Sequence, residues 1–163
     1  MATRGVVYVH SCAPAVCPHV EWAISAVLDM RVTLSWTGQP AAPGALRAEC
    51  GWSGRAGTGG RLAAALRDWP MLRFEVTEDA SPGCDGERIV HVPGRGTHRA
   101  ATSANGDLVI GEQQLRAARA GCVTADDFAH AIDTMLGASW DAELEPYRQA
   151  GDGAPVRWLH QVG

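Results

Sequence analysis

Hydrophobic positions along the chain change period several times, and each change predicts an element. Residues 5–10 (GVVYVH) are a short β-rich run. From Cys17-Pro18 onward Val20, Ala23, Ile24, Val27 and Leu28 follow the i, i+3, i+4, i+7, i+8 spacing of one buried helical stripe, with Pro at the first helical position. Val32, Leu34 and Trp36 alternate over 31–36 and predict a strand, which the Gly/Pro-rich stretch 38–44 ends. The plan then repeats. Leu46, Ala48, Cys50 and Trp52 alternate, 54–57 turns, Thr58 is placed to cap a helix carrying Leu62, Ala65, Leu66 and Trp69, and Leu72, Phe74 and Val76 alternate once more after Pro70.

Two β-α-β units joined by a turn predict an α+β fold, a ferredoxin-like βαββαβ sandwich over residues 1–78, because right-handed crossovers put both helices on one sheet face. The polar, turn-rich stretch 79–86 reads as a linker to a smaller C-terminal α+β extension, 87–163, docked on the first half. There the pattern predicts a hairpin of 87–92 and 97–102, and a turn at Asn105-Gly106 leading into 108–110. Helices follow at 112–120 and 125–136, the second capped by Thr124 and closed by Gly137. A short helix over 140–148 is expected to break at Pro146, and 155–162 reads as a terminal strand.

Composition narrows the function classes. Apolar residues are 46% and charged residues 20% of 163, which fits a globule with its own core. All 14 basic residues are Arg, so Schiff-base, P-loop and general-base lysine chemistry is excluded. A net charge of −4 with scattered Arg argues against nucleic acid as a partner. No apolar run approaches a membrane span, the start lacks a signal-peptide pattern, and five Cys fit reduced thiols, so a cytoplasmic location is expected.

Three stretches, Arg4-Gly-Val-Val-Tyr-Val-His-Ser11, Cys17-Pro-His-Val-Glu-Trp-Ala23, and Trp140-Asp-Ala-Glu-Leu-Glu-Pro146 with Pro155-Val-Arg-Trp-Leu-His-Gln161, mark a family likeness. The chain resembles an actinobacterial domain-of-unknown-function family of about this length, along its whole extent. The resemblance implies no reaction. Genes of that family tend to neighbour type II fatty-acid synthesis genes, so it implies an accessory or regulatory partner of acyl-chain enzymes and gives no residue a role.

His10, Cys12, Cys17 and His19 are four zinc-ligand types within ten residues, but their spacing lacks the paired knuckles of known fingers, and ordinary polar roles are the alternative. Cys17 at a helix N-terminus is expected to have a lowered pKa, with His10 or His19 as base, although no orienting third group is apparent. Arg95, Arg99 and His98, near a Gly-rich turn with His91, could receive an anion, against the alternative of a solvated hairpin tip. Asp141, Glu143 and Glu145 read as a solvated face.

Arg157, Trp158 and His160 close the chain with residue types that dock, either onto their own sheet or onto a partner, and Trp22 joins them as a partner-binding candidate. Trp36 or Trp52 would add an exposed patch if either faced a helix-free side of the sheet. The reading that follows is a non-enzymatic binding or regulatory module acting through a protein or small-molecule partner, or self-associating, with no cofactor. A thiol enzyme using Cys17 is the alternative, and a small zinc-stabilised domain the third reading.

Overall fold

The computed structural model describes residues 2–150. Seven strands form one antiparallel sheet in the order β2-β3-β1-β4-β5-β6-β7. They are β1 (Ala2–Cys12), β2 (Thr37–Gly38), β3 (Leu46–Arg55), β4 (Arg73–Glu78), β5 (Gly86–Val92), β6 (Gly96–Thr102) and β7 (Leu108–Val109). Five α-helices accompany them: α1 (Cys17–Leu28), α2 (Thr58–Leu66), α3 (Glu112–Gly121), α4 (Ala125–Leu136) and α5 (Ala138–Gln149). The α+β class is as the periodicity predicts, and no helix among the described residues is long and apolar enough to cross a membrane.

Side chains that alternate along each strand divide between two faces. Val7 and Val9 of β1, Trp52 of β3, Phe74 and Val76 of β4 and Ile89 of β5 meet Val20 and Ile24 of α1 and Leu62 and Leu66 of α2 in the main core. Tyr8, His10, Glu75, Arg88, Val90 and Val92 take the other face, where Leu144 of α5 and Trp140 close a second, smaller core over Val90 and Val92. The second face is therefore covered by a helix rather than free. Trp52 is buried in the main core and Trp36 packs on its margin, so neither supplies the exposed patch that a helix-free face would have carried.

Several elements depart from the sequence pattern for identifiable reasons. Residues 31–36 are not a strand, and pairing with β3 is confined to Thr37–Gly38. The backbone there bonds α1 instead: Val32 N–H donates to Ser25 Oγ at 2.9 Å, and Leu34 N–H to Glu21 Oε1 at 2.9 Å. The period of two records an extended segment packed on the core, with its amides satisfied by helix side chains rather than by a ladder. Thr58 is the first residue of α2 rather than its cap. Gly57, at φ +87°, takes the cap position, and the Glu78 carboxylate accepts from Gly57 N–H and Gly59 N–H, both at 2.7 Å. A carboxylate across the sheet thus does what the threonine hydroxyl was expected to do.

Pro146 does not break α5, which runs on to Gln149. The last turn is tied down by Arg148, bonded to Glu75, and by Gln39, whose Nε2 donates to the carbonyls of His10 (2.7 Å) and Tyr147 (3.1 Å). Residues 79–85 connect β4 to β5, which pair directly from Phe74↔His91 to Glu78↔Glu87, so one sheet runs through both halves of the chain. Thr124 caps α4 as the sequence predicts, accepting from Asp127 N–H at 3.1 Å. The strand expected at 155–162 lies outside the described residues.

Candidate functional site

β1 ends in an irregularity that decides the fate of its polar residues. Pairing slips between Val9 and Cys12 on the β3 side and between Val9 and Ser11 on the β4 side. Without that bulge the period of two would set His10 and Cys12 on one face; with it, His10 joins the α5 face while Cys12 turns into the main core. The four candidate zinc ligands are consequently divided. Cys12 and Cys17 meet, with Sγ atoms 3.6 Å apart, His10 bonds Glu75 on the far side of the sheet, and His19 lies among aromatic rings on the helix layer. Among the described residues no group of three or more His, Cys, Asp or Glu side chains is arranged to hold a metal ion.

Both thiols are shifted away from the thiolate form. Burial pushes Cys12 up to about 12, and burial also raises Cys17, with the Glu21 carboxylate acting in the same direction. Removing a thiolate from water outweighs the hydrogen bonds from Cys12 and the backbone that act to lower Cys17, so the depression expected at a helix N-terminus does not appear. Both sulfurs sit within 3.5 Å of the Ala13 carbonyl oxygen, while His10 bonds Glu75 and His19 packs between Trp22 and Trp69.

On the α5 face lies a buried charge network. Glu75 is 5% exposed. Its carboxylate accepts from His10 Nε2 at 2.6 Å, from Arg88 Nη2 at 2.6 Å, and from Arg148 through Nε at 3.0 Å and through Nη2. Asp141 accepts from the same two guanidiniums, at 2.6 Å from Arg88 and 3.0 Å from Arg148. Two carboxylates thus face two guanidiniums, with His10 completing the shell. Burial alone would raise the Glu75 pKa, but the His10 hydrogen bond and the charges of Arg88 and Arg148 hold it well below the usual carboxylate range. Asp141, expected on a solvated face, is one of the links that dock α5.

The proposed anion site is already filled from within. Arg95 pairs with Glu143 at 2.7 Å, Arg99 with Glu87 at 2.6 Å, and His98 Nε2 lies 3.0 Å from the Met135 carbonyl oxygen, with its ring against Trp140. His91 bridges Thr97 and the Pro70 carbonyl. Arg95 and His98 both lie against the Trp140 ring, with their polar atoms taken by Glu143 and the Met135 carbonyl, while Arg99 is held by Glu87.

Among the partner-binding candidates, Trp22 lies within the described residues and is open to solvent. It is 65% exposed, on the outer surface of α1, with Met71 at 74%. His19 stands between Trp22 (ring centroids 5.0 Å, edge-on) and Trp69 (4.9 Å, tilted), so three rings from α1 and the end of α2 form one continuous surface. Pro18 and Ala26 extend it along α1, both exposed and neither charged. The one carboxylate of α1, Glu21, is turned away to bond Leu34 N–H and, at 3.0 Å, Trp36 Nε1. A helix with no charge on its outer face departs from the amphipathic pattern of a solvent-facing helix. Arg157, Trp158 and His160 lie outside the described residues.

Glu75, Arg88, Arg148 and Gln39 were not singled out by sequence reasoning. Glu75 sits between Phe74 and Val76, where alternation alone reads an outward, solvated position, and Arg88 is a charged residue at the start of the Val90–Val92 face, where nothing in the alternation names its partner. The signal lay in the number of helices: three helices after the sheet's last strand require something to dock on, and the second sheet face was the available surface.

The chain belongs to the family described as a protein of unknown function (DUF3145), whose profile matches residues 6–161. No curated protein and no solved structure matches it.

Proposed function

We propose that this chain is a non-enzymatic binding module that acts through a protein partner, docked on the outer face of the helix layer around Trp22. The observation that carries the reading is the exposure of Trp22, 65%, beside His19, whose ring also packs on Trp69. Tryptophan is enriched among residues that dominate binding energy, because it desolvates a large area at little entropic expense. Buried thiols with raised pKa values and guanidiniums already matched to carboxylates support a binding role over the thiol-enzyme alternative. The scaffold reading is ferredoxin-like for the first four strands. Their order β2-β3-β1-β4, all antiparallel, with α1 and α2 both packed in the main core, supports it.

The test is a crosslinking map of the full-length protein with the partner it recovers from its own cells, repeated with Trp22→Arg. Crosslinks centred on α1 and the segment around Trp69 and Met71, lost in the variant, are the expected result. A partner retained in full yield by Trp22→Arg, with crosslinks elsewhere, would remove the reading.

A further inference from the structure

We propose that Cys12 and Cys17 form a redox pair, closed to an intramolecular disulfide by a low-molecular-weight disulfide and reopened by the matching thiol. Among the described residues they are the two cysteines whose sulfurs meet, at 3.6 Å. They lie at one corner of the main core, Cys12 at the last position of β1 and Cys17 at the first of α1. A disulfide holds its sulfurs about 2.05 Å apart, so closure needs an approach of about 1.5 Å. The chain between them can supply it. Ala13, Pro14 and Ala15 are exposed, the 3₁₀ turn Pro14–Val16 buries no residue, and the pairing of β1 has already slipped beyond Val9. The contacts given up are weak, namely the bond between the thiols and the approach of the S–H groups to the Ala13 carbonyl oxygen.

Cys17 is the attacking thiol, being 5% exposed against 1% for Cys12. It loses its proton to water, and the thiolate attacks one sulfur of the small disulfide. That S–S bond breaks, and the departing thiolate takes up a proton. Cys12 then loses its proton and attacks the Cys17 sulfur of the mixed disulfide, which forms the Cys12–Cys17 bond and releases the second small thiol. Two protein thiols are oxidised, one small disulfide is reduced to two thiols, and two protons accompany the two electrons. Burial holds both thiols in the protonated form, so closure is slow and waits on opening of the corner. Once formed, the bond ties the end of β1 to the first turn of α1 and is shielded from reductant by the same core. The pair responds to lasting oxidation rather than to a brief pulse.

The full-length protein is equilibrated without air in about 1 mM reduced and about 1 mM oxidised glutathione, quenched with acid, alkylated in denaturant and read by mass spectrometry. Cleavage after arginine releases residues 5–31, which hold Cys12 and Cys17 and no other cysteine. More than half of that peptide is expected unalkylated and lighter by two hydrogens, and dithiothreitol should return it to the doubly alkylated form. The same equilibration in urea should lower the closure constant at least about tenfold, because the fold no longer holds the sulfurs together. Cys12→Ser and Cys17→Ser should each abolish the unalkylated species, with circular dichroism checking that both variants remain folded. The wild-type arms stand without the variants. A peptide that stays doubly alkylated in the native wild type overturns the proposal, as does glutathione retained on either cysteine without closure, or a disulfide that forms as readily in urea.

Discussion

On one face of the sheet α1 and α2 press Val20, Ile24, Leu62 and Leu66 onto Val7, Val9, Phe74 and Val76. The buried acid on that side, Glu78, sits at the rim and serves as the cap of α2. On the other face α5 is attached through Leu144 and Trp140 to a small apolar core, and beside it through Glu75, Asp141, Arg88 and Arg148. The first contact is non-directional and scales with the apolar area removed from water. The second depends on every member being present, because a buried charge that loses its partner is left desolvated and unmatched. One sheet is thus covered twice by different physics, and the two covers should fail differently.

The largest effect is expected from Glu75→Ala, which leaves Arg88 and Arg148 with Asp141 as their one shared carboxylate and should lower unfolding free energy by about 3–5 kcal/mol in urea titration. Hydrogen exchange would locate the damage, with α5 amides losing protection ahead of those of α1. A loss under about 1 kcal/mol would mean that the network does not hold α5. Leu62→Ala, in the apolar cover, should cost about 3 kcal/mol by cavity formation and leave α5 protected up to global unfolding. Early exchange of α5 in that variant would erase the distinction between the covers.

Acid should separate the faces without mutation. Glu75 has a folded-state pKa well below its ordinary value of 4.5, so its contribution is complete above that value and fades as pH falls through it toward the folded-state pKa. Stability of the wild type should therefore decline below about pH 4.5, and Glu75→Gln, already weakened, should show a shallower decline. Parallel slopes for the two proteins would assign the acid sensitivity to other carboxylates.

The Arg95 to Glu143 pair lies on the α5 face but both side chains are about 40% exposed, 39% and 40%. Arg95→Ala should cost under about 1 kcal/mol, the range of exposed ion pairs, which isolates burial as the reason Glu75 matters. The smallest perturbation is chemical. Iodoacetamide at about pH 8 should modify exposed Cys84 while Cys12 and Cys17 react only as fast as the molecule opens. Rapid labelling of Cys17 in native protein would reinstate it as a reactive thiol.

The main core was legible in the sequence because its signals are local. The stripe from Val20 to Leu28 and the alternations at Leu46–Trp52 and Leu72–Val76 identify which side chains go inside, and all three packed as the periodicity predicts. Val32, Leu34 and Trp36 show the limit of the same signal. They do pack on the core, but whether an extended segment becomes a strand depends on what its amides meet, and here Ser25 and Glu21 of α1 reached them first. The candidate site was legible in part. Trp22 could be flagged by residue type, whereas its solvent exposure depended on how α1 lay on the sheet.

Period and capping, which act over a few residues, thus determined from sequence alone the α+β class, most helix boundaries and the apolar face of each element. Tertiary structure alone decided which distant groups meet. A one-residue bulge after Val9 turned Cys12 to Cys17 and away from the face on which His10 meets Glu75, and the return of α5 across that face brought Asp141 and Arg148 to Arg88. Hydrogen bonds and ion pairs between residues 53, 65 or 73 positions apart leave no periodic trace in the chain, because their geometry exists only once the sheet has formed.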